Sequence, residues 1–120
     1  MQINELEYEV LTHFLAHELL RRRWLQPETI TVVEREHTGV GFFTEFAPSE
    51  QLLICANDYS RAHSSNLVLR LNSNVDSGYI LYIEGGYLKH IEGFAFDYDW
   101  PTHIDDIETV ISNGFPNLGQ

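Results

Sequence analysis

Asp97, Asp99, Asp105, Asp106 and Glu108 place five carboxylates within twelve residues that hold no lysine or arginine. Paired carboxylates serve acid–base catalysis when they occupy different environments across a substrate. They bind calcium when an oxygen-rich loop has defined spacing and a glycine-made turn. The stretch DYDWPTHIDDIE fits neither pattern. It reads as a solvated rim or as a recognition surface.

The other candidates for chemistry are sparse. His13 and His17 stand four apart, with Glu18 beside the second. Two imidazoles on one helical face can share a metal. The order is not H-E-x-x-H, and no third ligand is placed by motif. Cys55 and His63 are nucleophile and base by residue type alone. Cys55 ends an apolar run, where an inert buried thiol is the usual outcome. His90 and His103 carry no signature. There is no phosphate loop, dinucleotide fingerprint, nucleophile elbow or zinc cysteine pair. The sequence therefore predicts no catalytic residue, no cofactor and no metal.

Recognition suits the acidic segment better. Tyr98 and Trp100 lie among its acids, and interfaces use aromatic side chains as anchors. Acids around an anchor steer a basic partner and reject an acidic one. The candidate partner-binding residues are Asp97, Tyr98, Asp99, Trp100, Asp105, Asp106 and Glu108. The competing reading of Trp100 is a core plug at a strand end, with Pro101 stopping the strand.

Charge points the same way. Eighteen acids against seven bases give a net charge of −11. From Leu71 onward there are eight acids and one base, Lys89. Such a surface repels phosphate backbones and anionic lipid, so nucleic acid and membrane are excluded as partners. It attracts a basic protein. Plain solubility is the competing reading. A single cysteine forbids an internal disulfide and fits a reducing compartment. No signal peptide or spanning segment is legible, so the expected location is cytoplasmic.

The elements that must position these residues follow from hydrophobic period. Ile3, Leu6, Val10, Leu11, Phe14, Leu15 and Leu19 recur as the apolar stripe of a helix over 3–23. Glu5, Glu7 and Glu9 near its start and Arg21, Arg22 and Arg23 at its end suit its dipole. Residues 29–38 and 40–46 read as hairpinned strands, with Gly39 and Gly41 marking a turn or bulge. Residues 51–55 fit a strand or a helical turn, and 56–65 a polar loop. Residues 66–71 read as a strand and 72–78 as a loop. Residues 79–84 and 87–96 flank Gly85-Gly86, a strong hairpin signal. Residues 103–112 read as a short helix, because Ile104, Ile107, Val110 and Ile111 share a helical face. The expected fold is a single α+β domain over 1–120, with 114–120 a flexible tail. An N-terminal amphipathic helix packs on an antiparallel β-sheet of about five strands, and a short C-terminal helix follows.

The run GYILYIEGGYLKHIEGFAFDYDWP resembles a group of small acidic bacterial proteins of largely unknown function. The residues that carry the likeness are Gly78, Glu84-Gly85, Tyr87-Leu88, Ile91-Glu92-Gly93-Phe94 and Trp100-Pro101. HTGVGFFTEF at 37–46 is similar to an earlier strand of that group. The likeness spans 37–101 and marks turns and strand ends. In size, acidity and lack of catalytic motif the chain is similar to immunity proteins of bacterial toxin systems, including contact-dependent growth inhibition. That likeness implies binding to a cognate, basic toxin domain and occlusion of its active site, without catalysis. A second reading is a small-molecule-binding or enzymatic domain, with a helix–sheet pocket edged by His13, His17 or His90. A third is a structural homodimer joined through a sheet edge.

Overall fold

A computed structural model describes residues 1–16, 25–54, 62–97 and 99–112. Helix α1 spans Glu5–Ala16. The strands are β1 (Val32–His37), β2 (Gly41–Phe46), β3 (Ala62–Leu71), β4 (Val75–Glu84), β5 (Tyr87–Ala95) and β6 (Ile107–Ser112). They form one sheet in the order β1-β2-β5-β4-β3-β6. Every neighbouring pair is antiparallel.

Helix α1 starts at a reciprocal cap. The Glu7 N–H donates to Asn4 Oδ1 at 2.8 Å, and the Asn4 N–H donates to Glu7 Oε1 at 2.8 Å. This satisfies donors that a helix start leaves unpaired. Leu6, Val10, Leu11 and Phe14 are buried, so the predicted stripe faces the sheet. Each contributes about 1.5–3 kcal/mol, more than the ~0–1 kcal/mol of an exposed ion pair. The later part of the predicted helix, from His17 to Arg23, lies outside the described residues.

Strand alternation sets the two sheet faces. Phe42 and Phe46, Leu67, Leu69 and Leu71, Tyr79, Leu81 and Ile83, and Leu88 and Ile91 are buried and form the core with α1. Phe43, Ile80, Tyr82, His90 and Phe94 are partly exposed on the opposite face. The helix reaches both ends of the strand order. Arg35 of β1 bonds Glu7, and His13 bonds Ser112 and Thr109 of β6. A flat six-stranded sheet would hold its edge strands about 24 Å apart. A 12-residue helix is only about 18 Å long. Long side chains such as Arg35 and His13 make up the difference, so one helix ties both edges of the sheet.

The structure corrects several expectations. Residues 107–112 are strand β6, not part of a C-terminal helix, and the sheet has six strands rather than about five. Ile107 pairs with Leu71, Glu108 with Arg70 and Ile111 with Val68. β-Branched Ile107, Thr109, Val110 and Ile111 suit a strand, and the open edge of β3 supplies its partner. Residues 72–78 are not one loop. Asn72 and Ser73 make a tight turn with φ of 53° and 65°, and β4 begins at Val75. Its polar residues are satisfied across the sheet. Ser77 Oγ donates to the Leu69 carbonyl at 2.8 Å and lies 2.8 Å from Tyr79 Oη. Strand β3 begins at Ala62, inside the expected loop 56–65. Within 51–55, the chain makes a short 3₁₀ turn at Glu50–Leu52, then Leu53 bridges to Tyr87. The Gly85-Gly86 hairpin is present, with both φ positive at 61° and 86°.

Candidate functional site

The acidic segment crosses one end of the sheet, from the end of β5 to the start of β6. Backbone hydrogen bonds fix its first half. The Ala95 N–H donates to Val40 O (2.9 Å), Phe96 N–H to Asp76 O (3.0 Å) and Trp100 N–H to Gly39 O (3.0 Å). Asn72 fixes the second half. Its Nδ2 donates to His103 O at 2.7 Å, and its Oδ1 accepts from the N–H of Asp105 (2.8 Å) and of Asp106 (3.3 Å). Its own N–H donates to Asp106 O at 2.9 Å. The β3–β4 turn thus holds residues 103–106, and the β1–β2 turn holds residue 100.

This arrangement places the predicted residues in two groups. Asp97, Asp99 and Trp100 sit beside the β1–β2 turn. Asp105, Asp106 and Glu108 sit beside the β3–β4 turn. The five carboxylate residues are all exposed. Tyr98 lies outside the described residues. Trp100 is half-buried and packs edge-on to Phe42, with ring centroids 5.3 Å apart. It seals the end of the core and still presents part of its surface.

Charge at this end is one-sided. Arg70 is committed to Asp76 through Nε–Oδ1 at 2.8 Å and Nη2–Oδ2 at 3.3 Å. Its Nη1 is also 4.0 Å from Glu108. Hydrogen bonding to Arg70 holds the Asp76 carboxyl below its ordinary range, and Asp76 in turn raises the Arg70 guanidinium. Asp76 was not among the predicted site residues. Its signal is cross-strand, since Arg70 stands opposite it only once β3 and β4 are paired.

A cleft of about 240 Å³ opens behind Trp100, lined by Leu6, Arg35, His37, Phe42, Ile104 and Ile107 among others. A shallower one of about 340 Å³ continues over His37, Gly39 and Gly41. Of the histidines expected to edge a helix–sheet pocket, His13 and His90 do not line these two clefts. His13 turns both ring nitrogens to β6, at 2.9 Å from Ser112 Oγ and 3.2 Å from Thr109 Oγ1. His90 lies on the far face, stacked near Phe43 at 4.8 Å and 3.6 Å from Glu45. His17, Cys55 and the side chain of His63 lie outside the described residues. Among the described residues, no three His, Cys, Asp or Glu side chains are grouped to hold a metal ion. No helix among them is long and apolar enough to cross a membrane.

The far face carries one titration with a clear signature. Tyr82 Oη donates to Glu92 Oε1 at 2.7 Å. That bond, with smaller help from burial and from the Glu92 charge, pushes the phenol up to about 12. The bond favours the neutral phenol. Its stabilising effect is complete below the ordinary tyrosine pKa of about 10 and is lost as pH rises through about 12. Subtracting the alkaline ultraviolet titration of Tyr82→Phe from that of the parent should isolate this late step. Glu92→Gln should move it toward 10. A Tyr82 step that stays at 10 in the parent would refute the assignment.

Comparison with family models, with curated proteins and with solved structures finds no match to this chain. The fold and the site are therefore the basis for a functional reading. They define an α+β protein with one end of its sheet lined by fixed, exposed carboxylates.

Proposed function

We propose that this protein is an immunity protein, which binds a cognate basic bacterial toxin domain and neutralises it by covering its surface or active site. It performs no catalysis. The observation that supports this most is the latched acidic segment. Its exposed carboxylates ride on backbone held by Gly39, Asn72 and Asp76, so little ordering remains to be done on binding. A one-signed field of this kind speeds the encounter with a basic surface. The proposed contact residues are Asp97, Asp99, Trp100, Asp105, Asp106 and Glu108, with Tyr98 between them.

Charge reversal tests the reading. Asp105 and Asp106 engage Asn72 through their backbone, so their side chains are replaceable without loss of the clamp. The triple variant Asp105→Lys, Asp106→Lys, Glu108→Lys should associate with the cognate basic toxin domain at least about tenfold more slowly at low salt. The gap should narrow as salt rises, because screening removes the field. An unchanged association rate at low salt would exclude this surface.

A further inference from the structure

The acidic segment begins beside an apolar feature that charge alone does not explain. Phe96 is 49% exposed and Val40 is 55% exposed. The Ala95 N–H bond to Val40 O sets the Val40 backbone beside Ala95, the residue before Phe96. Phe94 and Phe96 lie edge to face, with centroids 5.6 Å apart. Both rings rest on Gly78. A Cβ there would stand 2.8 Å from Phe94 Cζ and 2.9 Å from Phe96 Cε1. The missing side chain is what lets the rings lie down on β4. The Phe96 N–H bond to Asp76 O then pins the exposed ring's backbone to the same strand.

An exposed phenylalanine on fixed backbone is unfavourable in an isolated molecule and suited to an interface. Large aromatic anchors are the residues that dominate binding energy, and a rigid one loses little entropy on docking. The charges beside it select the occupant. Asp97 and Asp99 are exposed just beyond Phe96, and Asp76 is paired to Arg70 beneath it. A second copy of this chain, at net charge −11, would set these acids against their own images. Nucleic acid would be repelled in the same way. A basic segment satisfies both parts of the surface.

We infer that Phe94 and Phe96 form an apolar anchor pad, and that a partner protein docks on it with an apolar side chain flanked by lysines or arginines. The inference rests on the immunity reading and adds to it a place and a chemistry for the central contact. The aromatic pad supplies the dwell time, while the carboxylates supply the encounter.

Two experiments on the full chain separate the pad from the wider reading. In the first, ¹⁵N-labelled protein is titrated with an alternating Lys/Leu peptide and with its Glu/Leu counterpart. The Lys/Leu peptide should shift amides at Asp76, Gly78 and Phe94 to Asp97, and the Glu/Leu peptide should not. Phe96→Ser should abolish these shifts while leaving the remaining spectrum in place. Shifts centred on another face, equal shifts with both peptides, or none with either, would overturn the pad. So would a dimer seen by light scattering that Phe96→Ser dissolves. In the second, basic bacterial toxin domains are screened for a complex with the chain, and the cognate one is titrated directly. Phe96→Ser should weaken the complex about thirtyfold, mainly through faster dissociation. Gly78→Ala keeps every contact residue but lifts both rings, and it should weaken the complex as well. Full affinity in both variants would overturn the pad and leave the immunity reading standing. No complex with the parent chain would remove the immunity reading, and the peptide titration would then decide the pad alone.

Discussion

Replacing Arg35 with leucine is expected to cost about 3–5 kcal/mol of folding stability, far more than its place on an edge strand suggests. The reason is the residue it neutralises. Glu7 is fully buried, although it stands in the first turn of α1. Arg35 donates to it twice, from Nε to Oε2 at 2.8 Å and from Nη2 to Oε1 at 2.6 Å. Thr44 Oγ1 and the Asn4 N–H complete the set at 2.6 Å and 2.8 Å. Hydrogen bonding to Glu7 raises the guanidinium, so the cation persists at any ordinary pH. Without Arg35, a carboxylate stays buried with only neutral donors. That is the expensive half of a broken ion pair, and the figure for exposed pairs does not apply. The two-site change Glu7→Leu with Arg35→Leu should cost clearly less than the sum of the single changes, since it leaves no unpaired charge. Urea melts of the four proteins of this cycle measure both numbers. A loss below about 1 kcal/mol for Arg35→Leu would contradict the account.

Gly41→Ala should be as damaging for a different reason. The added methyl carbon would sit 1.8 Å from the Gly93 carbonyl oxygen and 2.9 Å from Phe94 Cα. These are backbone atoms of the adjacent strand, in the register that pairs Gly41 with Phe94 and Phe42 with Gly93. No rotamer change relieves such a clash. β2 and β5 must separate locally, with loss of ladder bonds and of packing around Phe42. A loss above about 3 kcal/mol is expected, or no folded protein at all. Gly39→Ala is the control. Its φ of +86° strains an alanine, but nothing lies within 4 Å of the new atom. About 1–2 kcal/mol is the ordinary cost of that conformation. Thermal melts of both variants separate the mechanisms. Equal, small losses would show that the close approach of Gly41 to β5 is wrong.

What the sequence made legible was set by local signals. The apolar stripe of α1 and the Gly85-Gly86 turn depend on residues near one another in the chain. The segment 103–112 carries two competing signals, since Ile104, Ile107, Val110 and Ile111 satisfy a helical period while four of its six final residues are β-branched. The decision between them came from elsewhere, from the open edge of β3 and the side chain of Asn72. Glu7 looked like a dipole-favouring acid. Its real partner is twenty-eight residues away, and no local pattern reveals it. The carboxylates of the candidate site were plain in the sequence. Their fixed placement was not, because it depends on carbonyls of Gly39, Val40 and Asp76 that any residue type could offer, and on an Asn72 side chain far away in the sequence. The exposed pair Val40 and Phe96 had read as ordinary strand residues. Their exposure depends on strand pairing that joins distant parts of the chain.

The central claim is that this molecule acts by offering a fixed anionic face to a basic protein. Growth of cells expressing a cognate basic toxin domain, with and without this chain, combined with size-exclusion chromatography of the pair, tests that claim most directly. The account predicts restored growth and a one-to-one complex whose association slows steeply with added salt. Continued killing with no complex at low salt would contradict it.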